Sequence, residues 1–397
     1  MANLPSKYTL TPADREKHLL PISQIVADQY AGGQHVDEIA RQYIGGCHYD
    51  FDATRLVWDG DQLVHQWGVW GYPMRVGPAR LKTAGIGAVT TREAHRNQGL
   101  MHAAATASFD AMRELGYDLS ILRGRHYVKY GYARAWNYVT YRLTRDEVAA
   151  PGSPKPYQPL GAARMDEIVA LYNASHEMFS GTAVRPTYSM LTDGEMGAYG
   201  WFADGKLTGY VRAVPTDDKK TLQCLEAAGD VEQGLAVLAD LFKQAEYESL
   251  TFFTLHHDHP MLQRLRKGAV IVENKYFDIS GWRVRLVNLT STLEKLRPLF
   301  ESRLQNSRFE NWSGDLSLDA GEQKATLQIE RGNVQVVDNA RNGHTLAGPA
   351  LTRLLIGSDE PSEVIRQEGL RCEGQAFELA QVLFPNLHPV MSHWDEY

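Results

Sequence analysis

The segment His95-Arg96-Asn97-Gln98-Gly99-Leu100-Met101 sets basic side chains and one glycine immediately ahead of an apolar helical run. The first N–H groups of a helix have no partner within the helix, and the macrodipole places positive charge at that end, so such a start holds anions. Gly99 allows a backbone conformation closed to other residues and lets the chain approach a ligand closely. Arg92 and Arg96 add positive charge. The expected guest is a pyrophosphate, held by Arg96, Asn97, Gln98, Gly99, Leu100, Met101 and His102. Further along, Tyr127-Val128-Lys129-Tyr130-Gly131-Tyr132 supplies phenols. A phenol with a reference pKa of about 10 stays protonated at neutral pH and can hand a proton to a developing anion.

These groups need a scaffold, and the flanking sequence offers one. Thr54–Trp58, Leu63–Val69 and Arg80–Thr91 read as three strands of an antiparallel meander, with Asp59-Gly60-Asp61 as a hairpin turn. Leu100, Ala103, Ala104, Ala107, Phe109, Met112 and Leu115 give the helix a buried face, Gly116 stops it, and Tyr117–Leu122 reads as a strand. Strand, basic turn, helix and strand, in that order, can hold a pyrophosphate at the helix start and open a slot between the two strands.

On these residues the chain resembles the GNAT superfamily of N-acetyltransferases. Arg96-Asn97-Gln98-Gly99-Leu100-Met101 follows the superfamily's loop pattern Arg/Gln-x-x-Gly-x-Gly/Ala, with Met101 where a small residue is usual. Tyr127 to Tyr132 resembles the Phe/Tyr-Tyr-x-x-Phe-Gly-Tyr signature of many acetyltransferase domains. Over its full length the chain is similar to the enhanced intracellular survival acetyltransferases, which join two acetyltransferase folds to a C-terminal domain resembling sterol carrier protein.

The resemblance implies an acetyl-CoA-dependent N-acetyltransferase, with acetyl-CoA as co-substrate and no metal. Tyr127 would be the general acid, and the backbone N–H of Val89 the contact for the carbonyl oxygen. The strand Val89-Thr90-Thr91 would pair with the pantetheine arm through its backbone. The C-terminal carboxylate on Tyr397 would enter the first active site as base. Its reference pKa of about 3.5 means that burial, or neighbours such as Asp395 and Glu396, must raise it. The acceptor would be a small-molecule or peptide amine (an aminoglycoside, a polyamine or a lysine side chain), and assembly as a homo-oligomer, up to a hexamer, is implied.

From the residues alone, other readings stay open. Tyr127 could pack the end of its strand, and the tail could dock only for stability. His256-His257-Asp258-His259 reads as a structural or solvated loop rather than a metal site, since neighbouring residues do not converge on one ion. His176 and Glu177 could line a substrate pocket or serve as helix-end residues, while Trp67, Trp70 and Tyr72 read as packing of the first sheet. At the level of the whole chain, a long-chain N-acyltransferase and a non-enzymatic lipid- or acyl-CoA-binding protein are the alternatives.

With 397 residues the chain is too long for one ordinary core. The expected fold class is α+β or mixed α/β: a catalytic acetyltransferase domain over 1–150, a second acetyltransferase-like domain without the loop over 151–286, and a sterol-carrier-like α+β domain with the tail over 287–397. The Pro- and Gly-rich stretch 149–156 reads as the first linker. No apolar run approaches the roughly 20 residues that span a bilayer, and MANLPSKYTLTPADREKHLL lacks the apolar centre of a signal peptide, so a cytoplasmic protein is expected. Cys47, Cys224 and Cys372 are too few and too scattered for a disulfide framework. A net charge of −7 offers no general attraction to nucleic acid or anionic membranes and suits a cationic acceptor.

Overall fold

Apolar residues repeat with strand periodicity between Arg55 and Thr91, and this stretch forms the centre of the first of three sheets. The computed structural model describes residues 4–46, 48–149, 151–187, 196–245, 247–277, 280–339 and 343–396. In chain order, β1 (Tyr8–Pro12) leads into α1 (Arg15–Tyr30), whose first N–H groups are capped by the Asp14 carboxylate, then α2 (Val36–Glu38) and a π-helical turn over Ile39–Ile44. The meander follows as β2 (Arg55–Asp59), β3 (Gln62–Val76) and β4 (Ala79–Thr91). Next come α3 (Leu100–Glu114), β5 (Leu119–Arg123), a 3-10 turn over Arg125–Tyr130, and β6 (Ala133–Arg134).

The middle of the chain holds β7 (Tyr138–Thr144), β8 (Gln158–Pro159), α4 (Met165–Ser175), β9 (Ala198–Ala203), β10 (Lys206–Pro215) and β11 (Thr221–Ala228). It continues with α5 (Val231–Gln244), β12 (Ser249–Phe253), α6 (Pro260–Leu265), β13 (Ile271–Lys275) and β14 (Trp282–Leu286). The remainder comprises α7 (Leu289–Gln305), β15 (Ser313–Asp319), β16 (Lys324–Glu330), β17 (Asn333–Asp338) and β18 (His344–Ala347). After these stand α8 (Leu351–Ile356), α9 (Pro361–Gln367), β19 (Arg371–Glu373) and α10 (Ala376–Leu383).

The first sheet runs β1-β2-β3-β4-β5-β14-β6 and the second β13-β7-β12-β11-β10-β9-β8. Both are antiparallel meanders followed by one parallel pair, β4 with β5 and β11 with β12, in which the return crossover is a helix, α3 or α5. The two sheets exchange strands. β7, ahead of the link at 149–156, lies between β12 and β13, because Tyr141 and Leu143 belong to the second core. β14 returns between β5 and β6, carrying Trp282, Val284 and Leu286. The boundary read at 150 therefore falls between strands of the second sheet and the segment 151–286 ends on a strand of the first, while every strand of the third sheet lies beyond 286.

The third sheet runs β17-β16-β15-β18-β19, and one apolar cluster joins it through α7 to the lower end of the first sheet. Buried Asp118 ties the two, accepting from the Lys82 N–H (2.6 Å), the Ser291 hydroxyl (2.6 Å) and the Lys295 ammonium (2.5 Å). Beyond α10 the chain turns back. The Leu387 N–H reaches the Gly357 carbonyl and the Val390 N–H the Ser180 carbonyl, so the tail returns along the second sheet.

Candidate active site

At the start of α3 the chain is shaped for an anion, and among the described residues no side chain caps it. Asn97 (φ 60°) and Gly99 (φ 76°) are left-handed, and Gly99 is the N-cap without any side-chain capping bond. The first intrahelical bond runs from the Ala103 N–H to the Gly99 carbonyl, which leaves the N–H groups of Leu100, Met101 and His102 ahead of it. A Cβ on Gly99 would meet nothing within 4 Å, so the glycine is needed here for its positive φ rather than for clearance. Leu100 is buried, Met101 packs its flank against the first core, and His102 stacks on Tyr130 (centroids 5.6 Å apart).

The two arginines differ. Arg92 is committed within the protein, donating from Nε to the Leu63 carbonyl (2.8 Å) and pairing with Asp28 (3.0 Å). Arg96 is exposed, and its bond to the Thr91 carbonyl is long (3.4 Å), so it is the loop's available cation. His95 bonds the Tyr8 hydroxyl (3.1 Å).

Beside the helix start, β4 and β5 part company. Their parallel register covers Thr83–Leu119, Ala84–Ser120 and Gly85–Ile121. β4 then continues to Thr91 while β5 ends at Arg123. A bulge between Gln66 and Gly68 puts an extra residue on β4, with Ala88 at φ 46° and its carbonyl held by the Gln66 amide (2.9 Å). A bulge of this kind bends and twists its strand, and the β4–β5 pairing ends before it. Val89 and Thr91 lie along this free edge. The Val89 carbonyl receives a long bond from Tyr30 (3.4 Å), and the Thr91 hydroxyl is bonded to His65 (2.7 Å). Burial pushes the His65 imidazole down to about 4, so it is neutral near pH 7.

The 3-10 turn after β5 delivers Tyr127 to this gap. The ring is half-buried, edge-on to Trp67 (5.7 Å, 76°) and to Tyr132 (6.4 Å, 65°). Among the described residues its hydroxyl has no hydrogen-bond partner. Burial, with Tyr30 and Tyr130 nearby, pushes the phenol up to about 12, which keeps it a proton donor at any physiological pH. Tyr132, by contrast, is buried with its hydroxyl on Ser120 (2.6 Å). The Trp67 Nε1–H and the Tyr130 hydroxyl are buried and unpartnered among the described residues. Buried donors are normally satisfied, so this pair of orphans beside an uncapped helix start and an open strand edge fits a site that receives a polar ligand.

Residues 32–135 match an acetyltransferase (GNAT) domain. None of the curated proteins matches the chain. Among solved structures, the chain is similar to a GCN5-related N-acetyltransferase from Anabaena variabilis (17% identity, 97% of this chain and 99% of that one, TM-score 0.73). It is also similar to one from Kribbella flavida (19%, 98% and 98%, 0.72) and to Eis1 from Mycobacterium abscessus (15%, 97% and 99%, 0.67). At these identities the likeness is one of fold, and it extends over all three sheets.

The site lies within the GNAT match, but the tail comes to its edge. Glu396 pairs with Arg123 at the end of β5 (3.0 Å) and accepts from the Tyr138 hydroxyl (3.4 Å). Burial outweighs Arg123 and holds the Glu396 carboxyl above its usual range. Tyr397, the expected base, lies outside the described residues. Asp395 faces the second sheet, with its carboxylate on the Arg185 guanidinium (3.0 Å). The two carboxylates expected beside the chain end thus each have a cationic partner of their own.

The remaining expected positions are structural. His256 bonds the Leu387 carbonyl (2.9 Å), His259 bonds the Ala227 carbonyl (3.0 Å), and no group of metal-binding side chains occurs among the described residues. His176 is buried against Tyr172 (centroids 4.1 Å), the Glu177 carbonyl accepts from Arg80, and Trp67, Trp70 and Tyr72 are core residues. Arg123, Arg185 and Glu226 were not expected to matter. Their one signal in sequence is a lone charge in or beside an apolar strand, as in Thr221-Leu-Gln-Cys-Leu-Glu226.

Proposed function

We propose that the chain is an acetyl-CoA-dependent N-acetyltransferase acting on a primary amine of a cationic acceptor. The observation that carries this reading is the convergence of three features: an uncapped, left-handed helix start, an unpaired strand edge at the β4 bulge, and a half-buried tyrosine whose hydroxyl faces no described partner. Acetyl-CoA supplies the activated acyl group. The N–H groups of residues 100–102 and the Arg96 guanidinium would hold its pyrophosphate, and Val89, Thr90 and Thr91 would pair with its extended arm. The Val89 N–H is assigned to the carbonyl oxygen as negative charge grows there. Tyr127 is assigned to give its hydroxyl proton to the departing sulfur. The amine's proton is assigned to the carboxylate on Tyr397, which the anchoring of Glu396 to Arg123 supports. An aminoglycoside, a polyamine or a lysine side chain is the acceptor class we favour, in keeping with the acidic chain.

The test is release of free thiol from acetyl-CoA across an amine panel. Amine-dependent release, with acetylated product found by mass spectrometry, is the expected result. A folded protein that binds acetyl-CoA but acetylates no amine in the panel counts against this acceptor class, and one that does not bind it counts against the reading as a whole.

A further inference from the structure

The bulge in the first sheet has a counterpart in the second. On β4 the extra residue falls just before Thr90, which pairs with Gln66; on β11 it falls just before Glu226, which pairs with Arg212. In the first sheet this place opens onto the candidate site. In the second it is filled by the C-terminal tail. Glu226 is buried, doubly bonded to the Arg185 guanidinium (2.9 and 2.6 Å), and it accepts from the hydroxyls of Tyr210 (2.5 Å) and Ser392 (2.6 Å). Arg185 turns its Nε to both oxygens of Asp395 (3.0 and 3.1 Å), and Thr187 and Tyr172 donate to the same carboxylate. Trp394 lies beneath the Arg212 guanidinium at 4.3 Å. One residue further on, Glu396 meets Arg123 of the first sheet.

We propose that Arg185 and Glu226 are positioning residues for acetyl transfer, acting by clamping Ser392 and Asp395 so that Glu396 is held in one register against Arg123 at the end of β5. The proposal rests on the acetyltransferase reading above. Two tail residues are gripped by a fully buried ion-pair network, and the network occupies the site-equivalent place of the second sheet. Burying such charges offsets much of their attraction, so the network contributes little as a stabiliser compared with an apolar plug, whereas its directional bonds admit only one placement of the tail. The clamp and the Arg123–Glu396 pair tie adjacent tail residues to elements of both sheets.

The variant Ser392→Ala/Asp395→Asn removes the tail's side of the clamp and leaves the Arg185–Glu226 pair in place, so the second sheet keeps its buried charges matched. Hydrogen exchange of the tail amides, acetyl-CoA affinity and turnover are measured on this variant and on the unaltered chain. The expected result is tail exchange at least tenfold faster, turnover at least tenfold lower, and acetyl-CoA Kd within twofold. Unchanged exchange would show that the clamp does not hold the tail. Released amides with unchanged turnover would overturn the positioning role while leaving the acetyltransferase reading intact. An unaltered chain that transfers no acetyl group would overturn that reading and the role with it, whatever the exchange shows.

Discussion

The helix starts of α3 and α5 stand at the same place in two sheets built by the same succession of connections, and they are finished in opposite ways. α3 begins at a left-handed glycine with no cap, beside exposed Arg96. α5 begins at Asp230, whose carboxylate takes the Gln233 N–H (2.7 Å), and Glu232 adds a second acid in the first turn. The first start carries no acid and leaves donors open to an anion, whereas the second sets the Asp230 and Glu232 charges against one and uses the Gln233 N–H for its own cap. The strand gaps differ likewise. Past the β4 bulge the edge carbonyls of Val89 and Thr91 carry long bonds from Tyr30 and Arg96 (3.4 Å each), whereas past the β11 bulge the loop after β12 folds back, with Thr254 on the Leu225 carbonyl (3.0 Å) and His259 on the Ala227 carbonyl (3.0 Å). Two sheets with the same succession of connections thus need not present the same gap. In the second, a few polar side chains turned inward make a socket for the tail.

The largest effect should come from the group that has no counterpart in the second sheet. Tyr127→Phe is expected to lower turnover by about 10²- to 10⁴-fold, the range of a lost general acid, while leaving acetyl-CoA affinity within twofold. Steady-state kinetics with a parallel binding titration checks this, and near-normal turnover would assign Tyr127 to packing against Trp67. Copying the second helix start onto the first comes next. Gly99→Asp adds a carboxylate and a Cβ at φ 76°, and should weaken coenzyme A binding by at least about 100-fold, on the order of 3 kcal/mol.

Acid should unseal the second gap. Burial holds His256 and His259 at about 4, below the ordinary value of 6.5. Between those values the unfolded chain binds more protons, so the stability they contribute is complete above about pH 6.5 and is lost as pH falls towards 4. By pH 5 each has lost roughly 2 kcal/mol of that stability. Thermal unfolding followed from pH 7 to 5 should show Tm falling, with a shallower slope in His259→Gln; equal slopes would remove His259 from the account. The smallest effect is expected from Asp230→Ala, about 1 kcal/mol of stability measured by denaturant unfolding, with coenzyme A binding unchanged.

How much of this was legible in the sequence follows from how local each feature is. The loop at Arg96–Met101, the helix behind it and the tyrosines after β5 lie within one strand-helix-strand unit, where turn residues and helical periodicity suffice. The meander was legible for the same reason, although β3 runs on to Val76. The exchange of β7 and β14 was not, because it depends on which core accepts Tyr141 or Trp282, a choice made by residues far away in the chain. The clamp was hidden for the same reason. Arg185 meets Glu226 41 residues on and Asp395 210 residues on, and no spacing rule connects them. Arg92 and Arg96 looked equivalent as charges, and only the fold shows Arg92 spent on Asp28.

Calorimetric titration of coenzyme A into the full chain tests the contrast between the two openings most directly. One site per chain, lost in Gly99→Asp and retained in Asp230→Ala, is the predicted result. Two sites per chain, no binding to the folded protein, or binding that survives Gly99→Asp would contradict it.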